Sequence, residues 1–443
     1  MINVGLVSLG CPKNLVDSEV ILAYLDTRKI TICEDLNEAH IIIINTCCFI
    51  DEAYNESIEV IKKVARLKKY GSCTGIIVCG CLVEKERKKL FSLLPEIDAL
   101  LGTHNQSQIR TAIDHILCKK RYSSIQKQKV RWHEESLVKL TPLHFAYVKI
   151  ADGCQNNCTF CIIPQLRGPY ISRPFHSIIH EVEQLALQGT KEIILVGQDT
   201  TQYGYDLADE YLIEKLLSAL SDIASIKWIR LLYTYPGSVT HSLLKTIAAS
   251  RTICNYIDLP LQHISDRILK RMGRRDGSSE IRKLIYAIRD TIGDVAIRTT
   301  FIVGFPGETD KDFQILLDFM NEVRFERLGI FMYSPQKGTP SYTYKEGIPE
   351  NIKQERFEQA MLLQQDISRE INKTFFGKNL EVIIDGVSEE DDSIYLARTE
   401  YDSPEVDGIV YVNARKKQFK QGDLVSVQIT DTKEYDLVGI AAN

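Results

Sequence analysis

Apolar residues in the first part of this chain fall in short unbroken runs, separated by longer amphipathic stretches. Residues 2–9 form one run, 41–44 are four successive isoleucines, and 75–79 read GIIVC. Runs of this length without alternation predict strands buried on both faces. Residues 14–25, 52–67 and 84–94 carry apolar positions at helical spacing. The strand–helix alternation predicts an open parallel sheet with helices on both faces, over residues 1–118. Residues 119–140 include KKRYSSIQKQKVR, lose that periodicity and read as a linker.

A second strand–helix series follows. Apolar strand candidates lie at 145–150, 192–196, 228–233, 256–258, 295–303 and 328–333. Helical segments such as 177–187 and 312–323 separate them, and a long polar helix spans about 351–374. Six parallel strands with crossover helices predict an incomplete (β/α) barrel over 141–375, since a closed one has eight. From 377 to 443 the pattern changes to short β-rich runs at 380–384, 393–398, 408–412 and 424–430, broken by Asp, Gly and Pro. That is the pattern of a small antiparallel β-barrel. The fold class is therefore α/β with a β-barrel at the end. No repeat of fixed period and no low-complexity tract interrupts it.

Charge and cysteine usage narrow the class. The net charge is −5, which gives no whole-chain reason to expect nucleic acid. Twelve cysteines in 443 residues are too few for a disulfide scaffold, and a reducing, cytoplasmic setting suits free thiolates best. The N-terminus lacks the basic and long apolar segments of a signal peptide, and no run reaches transmembrane length.

The chemistry concentrates in Cys154-Gln155-Asn156-Asn157-Cys158-Thr159-Phe160-Cys161. Three thiolates at CxxxCxxC spacing can hold three irons of a 4Fe–4S cluster and leave the fourth open to a ligand. A structural zinc site takes four ligands, and the next His is as far away as His176. A second set is dispersed. Cys11, Cys47 and Cys81 each follow a predicted parallel strand of the first unit. Ligand crevices of open parallel sheets form at such strand ends. A single cysteine there reads as an inert core residue; three at equivalent ends read as a second ligand triad. Cys48 stands beside Cys47 and Cys79 two before Cys81, so either is a candidate to replace its neighbour as ligand in a mutant. Cys33, Cys73, Cys118 and Cys254 fit no motif and read as structural.

The CxxxCxxC loop followed by Ile162-Ile163-Pro164 resembles the radical S-adenosylmethionine (SAM) enzymes, whose open iron chelates SAM. Loop residues after the other barrel strands match in order: Gly197-Gln198-Asp199-Thr200, Tyr233 and Tyr235, Pro260-Leu261-Gln262-His263, Arg298 within the fifth strand, and Gly304-Phe305-Pro306-Gly307-Glu308. Tyr233, Gln262, Arg298 and Glu308 are the candidates for contacts to SAM or substrate. The Gly304–Gly307 stretch also reads as a plain turn, and His263 as a hydrogen-bonded structural histidine. With the second triad, the resemblance extends over nearly the whole chain to the methylthiotransferases. It implies two 4Fe–4S clusters, on Cys154, Cys158 and Cys161 and on Cys11, Cys47 and Cys81. It implies SAM as methyl donor and radical source, a last domain of the TRAM type that binds substrate, and external sulfur and electron donors. Hydrogen-atom transfer needs no general acid–base pair, and none is assigned.

The methylthiotransferases act either on tRNA adenosines or on an aspartate of the twelfth protein of the small ribosomal subunit. Ser8-Leu9-Gly10-Cys11-Pro12-Lys13-Asn14-Leu15-Val16-Asp17-Ser18-Glu19 and Asp402-Ser403-Pro404-Glu405-Val406-Asp407-Gly408 resemble the ribosomal-protein branch. Residues 377–443 carry 14 Asp and Glu against 7 Lys and Arg. Such a domain suits a basic protein, or the small subunit carrying it, better than a phosphate backbone. The alternatives are tRNA methylthiolation and a metal-stabilised binding or assembly protein without turnover.

Overall fold

The structure is a computed structural model that describes every residue except 26–27, 127–129, 131, 134–137, 208–211, 416 and 443. The first unit is a parallel sheet of β1 (Ile2–Ser8), β2 (Ile30–Ile32), β3 (Ile41–Thr46), β4 (Gly75–Gly80), β5 (Ala99–Leu101) and β6 (Tyr122–Ser124), ordered β2-β1-β3-β4-β5-β6. Its helices are α1 (Pro12–Ala23), α2 (Asp51–Tyr70), α3 (Cys81–Glu86), α4 (Leu90–Leu93) and α5 (Ile109–Leu117). Strand alternation sends Ile41, Ile43 and Ile77 to the face covered by α1 and α5, and Ile42, Ile44, Ile76 and Val78 to the face covered by α2 and α3. Burial on both faces is why these strands show no polar alternation.

Two expectations change here. The helix expected over 84–94 is α3, a 3-10 turn at Arg87–Lys89 and α4. Arg87 sits at φ 53°, a left-handed conformation that ends α3. Within the expected linker, Tyr122–Ser124 pairs with β5 and completes the sheet. Edge pairing uses backbone groups, so it leaves no apolar pattern to read. Part of the remaining linker lies outside the described residues.

The second unit runs β7 (Phe145–Lys149), β8 (Ala151–Asp152), α6 (Ile163–Arg167), β9 (Ile171–Ser172), α7 (Phe175–Leu187), β10 (Glu192–Val196), α8 (Ile213–Ser221), β11 (Trp228–Leu231), α9 (His241–Ala249), β12 (Tyr256–Asp258), α10 (Asp266–Arg271), α11 (Ser278–Ile292), β13 (Ala296–Val303), α12 (Asp310–Val323), β14 (Arg327–Met332) and α13 (Glu350–Lys373). Parallel sheets β11-β10-β7 and β12-β13-β14 meet through the Ile229–Ile253 bridge. Together they form a six-stranded open barrel. Leu216, Leu244, Ile285, Phe319 and other helix residues pack its outer wall.

The last unit is a closed barrel of β15 (Asn379–Val387), β16 (Ile394–Thr399), β17 (Val410–Asn413), β18 (Leu424–Thr432) and β19 (Leu437–Ala441). The sequence pattern gave four of these strands. The fifth, β19, closes the barrel and pairs parallel to β17; the other pairs are antiparallel.

This small barrel is bonded to residues near the strand starts of the open one. Arg398 pairs with the fully buried Glu192 at 2.8 Å, Arg327 with Asp402, and the Tyr256 hydroxyl donates to Asp407 at 2.7 Å. Val16 of α1 reaches the barrel lumen, in one apolar cluster with Tyr147, Val196 and Trp228. No helix among the described residues is long and apolar enough to cross a membrane.

Candidate active site

The dispersed triad sits at the reversal of strand order. In the order β2-β1-β3 the chain leaves β1 and β3 in opposite lateral directions, and such a switch point opens a crevice at the strand ends. Cys11 follows β1, Cys47 follows β3, and Cys81 opens α3 after β4. Two glycines bring the strand ends together. Gly10, at φ 89°, lies so close to Cys47 that a Cβ there would stand 2.9 Å from its Sγ. Gly80, at φ 91°, would place a Cβ 2.6 Å from the Thr46 carbonyl.

Burial, with Cys47 and Cys11 close by, pushes the Cys81 thiol up to about 12; the Arg167 guanidinium opposes this and donates to its Sγ at 3.7 Å. Burial also raises Cys47, with Cys11 again adding to the effect. Cys79 is turned to the opposite face of the sheet, in the cluster of Ile43, Ile77 and Leu101. Cys48 is fully buried on the α2–α3 face, and burial raises its thiol too, with Cys81 and Cys47 nearby.

The compact triad occupies the loop between β8 and α6. The Thr159 N–H donates to the Met272 carbonyl at 2.9 Å and its hydroxyl to the Arg271 carbonyl at 2.8 Å, pinning the loop to the end of α10. Arg274 donates to Cys158 Sγ at 3.7 Å and to the Pro260 carbonyl at 2.8 Å. The Asn156 N–H donates to Cys154 Sγ at 3.4 Å, and its amide to Asp199 at 2.8 Å. Burial, then Cys158 and Cys154, raise the Cys161 thiol to about 12. Each triad thus has one guanidinium donating to one of its sulfurs. Thiols so costly to ionise in protein alone suit a cationic iron–sulfur core, which stabilises the thiolates.

A buried charged knot joins the elements that carry the two triads. Arg167, the last residue of α6, pairs with Asp17 of α1 at 2.7 Å and with Asp152 at 3.2 Å, and donates to Asn14. Lys149 pairs with the same two carboxylates. Burial alone would raise Asp152; Lys149 and Arg167 hold its carboxyl well below the usual range.

The four expected contact residues part company. Tyr233 sits at φ 60°, beneath the Lys13 ammonium and close enough to Cys11 to feel its charge. Gln262, at φ 73°, is half-buried in the loop after β12. Arg298 pairs with Asp258 at 2.9 Å and with Asp407 of the last unit at 3.5 Å. Glu308 is fully buried against Arg356 of α13 at 2.9 Å, with His263 Nε2 at 3.7 Å. Burial pushes His263 down to about 3, so it is neutral, and its Nδ1 accepts the Ile264 and Ser265 N–H groups. Sequence reasoning missed Arg167, Arg274, Lys149 and the role of Lys13. Only Lys13 had a signal, as part of the Gly10-Cys11-Pro12-Lys13 motif.

Comparison with known proteins agrees with this architecture. The Radical SAM superfamily model matches residues 148–320, the family described as Uncharacterized protein family UPF0004 matches 3–102, and the TRAM domain matches 376–441. Among solved structures, the radical SAM methyltransferase TsrM from Kitasatospora setae shares the fold at TM-score 0.58 and 13% identity, covering 83% of this chain and 89% of its own. The chain is a radical SAM methylthiotransferase in class. Proteins named ribosomal protein uS12 methylthiotransferase RimO match it end to end. That of Desulforamulus reducens is 45% identical, covering 99% of each chain; that of Thermoanaerobacter sp. is 46% identical, covering 99% of this chain and 100% of its own. The protein of Clostridioides difficile is 43% identical, covering 99% and 98%. The chain belongs to the RimO family.

Proposed function

We propose that this enzyme attaches a methylthio group to the β-carbon of an aspartate in uS12, the twelfth protein of the small ribosomal subunit. One 4Fe–4S cluster is assigned to Cys154, Cys158 and Cys161, and the other to Cys11, Cys47 and Cys81. The observation that supports the reading is the pairing of the elements that carry the two triads, through Arg167 on Cys81, Asp17 and Asp152 and through Lys13 on Tyr233. Bound clusters and SAM supply a radical able to take hydrogen from an unactivated carbon and a methylated sulfur to replace it.

The chain's own residues position and enclose. Arg274 and Asn156 donate to sulfurs of the SAM triad, and Arg167 to one of the auxiliary triad. Lys149, Asp152 and Asp17 form a fully paired network, so the two triads are held in one geometry and water is kept from the space around Arg167. Sulfur and electrons come from external donors. Twelve free cysteines suit a reducing cytoplasm.

The test is a paired mass-spectrometric assay with anaerobically reconstituted enzyme, SAM, sulfide and reductant, on uS12 and on unmodified tRNA. The expected result is methylthio mass on uS12, lost in Cys154→Ala and in Cys11→Ala. Methylthio mass on tRNA alone overturns the substrate, and no SAM cleavage at all overturns the chemistry.

A further inference from the structure

Lys13 brings a buried ammonium to this site. It stands on the first turn of α1, two residues after Cys11, and its side chain is buried. Nζ lies 3.1 Å from the centroid of the Tyr233 ring, and among the described residues no carboxylate pairs with it. Burying an ammonium without a counter-charge is costly, and an aromatic face compensates only in part. Of the other cations here, Arg274 also rests on an aromatic ring, Tyr235, but it donates to the Pro260 carbonyl and to Cys158, and the rest have carboxylates. Arg298 has Asp258 and Asp407, Arg167 and Lys149 have Asp17 and Asp152, and Arg356 has Glu308.

The ring beneath Lys13 is held on purpose. Tyr233 adopts a left-handed backbone, rare for a bulky residue. Its N–H donates to Asp258 at 2.8 Å, and its carbonyl accepts the Thr200 N–H at 3.0 Å. Strain fixed from two sides marks a place where position matters. That place is connected to both triads. From Tyr233 the contacts run through Thr200 to its neighbour Asp199, on to Asn156 and Cys154. Toward the other triad, burial raises the Tyr233 hydroxyl and Cys11 is near enough to add to it.

We infer that Lys13, seated on Tyr233, binds the side-chain carboxylate of the target aspartate and so selects aspartate and sets its β-carbon between the two clusters. The inference rests on the proposed function, which supplies an aspartate as substrate. An ammonium–carboxylate pair in a buried site discriminates strongly against a neutral isostere, because asparagine leaves the charge unpaired.

The experiment is titration calorimetry of the anaerobically reconstituted enzyme with uS12 and with uS12 whose target aspartate is changed to asparagine. It is run on the wild type, Lys13→Met and Lys13→Arg, with methylthiolation of both proteins scored in parallel. Iron analysis confirms that each variant carries its clusters. Methionine keeps the length and apolar stem of lysine without the charge. The wild type is expected to prefer the aspartate protein by about 100-fold in Kd. Lys13→Met is expected to bring that ratio to within about threefold, and Lys13→Arg to keep most of it. A Lys13→Met ratio equal to the wild-type ratio overturns the inference and leaves the function standing; it is also what a lysine serving only the cluster would give. A wild type that methylthiolates neither protein overturns both.

Discussion

Cys79 and Cys81 stand two residues apart, yet a turn at Gly80 sends them to different faces. Cys79, inside β4, points with Ile77 into the α1–α5 core; Cys81, past the turn, faces Arg167 and Cys47. Burial is the sole cause of the Cys79 rise, with no neighbouring thiol or cation contributing. Cys81→Ala is therefore expected to lower iron from roughly eight to roughly four per chain, and Cys79→Ala to keep roughly eight. The second variant loses only packing, about 1 kcal/mol, read from denaturant unfolding of the loaded protein. Iron lost equally in both variants would show that the ligand is chosen by proximity rather than by face.

The short helix α6 sets the relation between the triads. It begins two residues after Cys161 and ends in Arg167, which reaches Asp17, Asp152, Asn14 and Cys81. Removing a guanidinium from two buried carboxylates leaves them short of counter-charge. Arg167→Met is expected to cost about 3–5 kcal/mol and to reduce iron at the auxiliary triad. In the double variant with Asp17→Asn the losses are expected to be smaller than their sum by about 1–3 kcal/mol, measured by a double-mutant cycle of denaturant unfolding. Additive losses would mean that Arg167 acts on the sulfur alone.

Elements differ in how readable they were for the same reason. β3, β4 and β10 are buried on both faces, so their composition announces them. β6, β8 and β9 span two or three residues and are set by partners distant in sequence, which no local pattern records. The two cysteine sets stand out in the sequence because ligand spacing and strand ends are sequence features. Arg167 and Arg274 do not, because Asp17 lies 150 residues from Arg167 and Cys158 116 from Arg274.

At the scale of the molecule, the acidic last unit divides into two populations. Asp402 and Asp407 of the motif that resembles the ribosomal-protein branch are turned inward, onto Arg327, Tyr256 and Arg298. Asp385 pairs with His144 and Arg398, and Glu405 accepts from Tyr147 at 3.2 Å. With Glu400 on the Asn255 N–H and Glu434 on Arg369, these make six of the 14 carboxylates that hold the small barrel on the preceding unit, so the net charge overstates what a partner meets. Glu389, Glu390, Asp391 and Asp392 form an exposed run in the turn between β15 and β16. Asp391 shapes the turn there by accepting from the Ser393 N–H and hydroxyl, whereas no such bond to the other three carboxylates is present among the described residues. If basic uS12 is drawn in by this run, Glu389→Lys, Glu390→Lys and Asp392→Lys together are expected to raise KM for uS12 about tenfold at low salt, with kcat unchanged. Raising the salt shortens the range of the field and is expected to close the gap between variant and wild type. A KM equal to the wild-type value at low salt would leave the run as solvated surface and place uS12 recognition entirely at the barrel mouth, where Lys13 and Tyr233 lie.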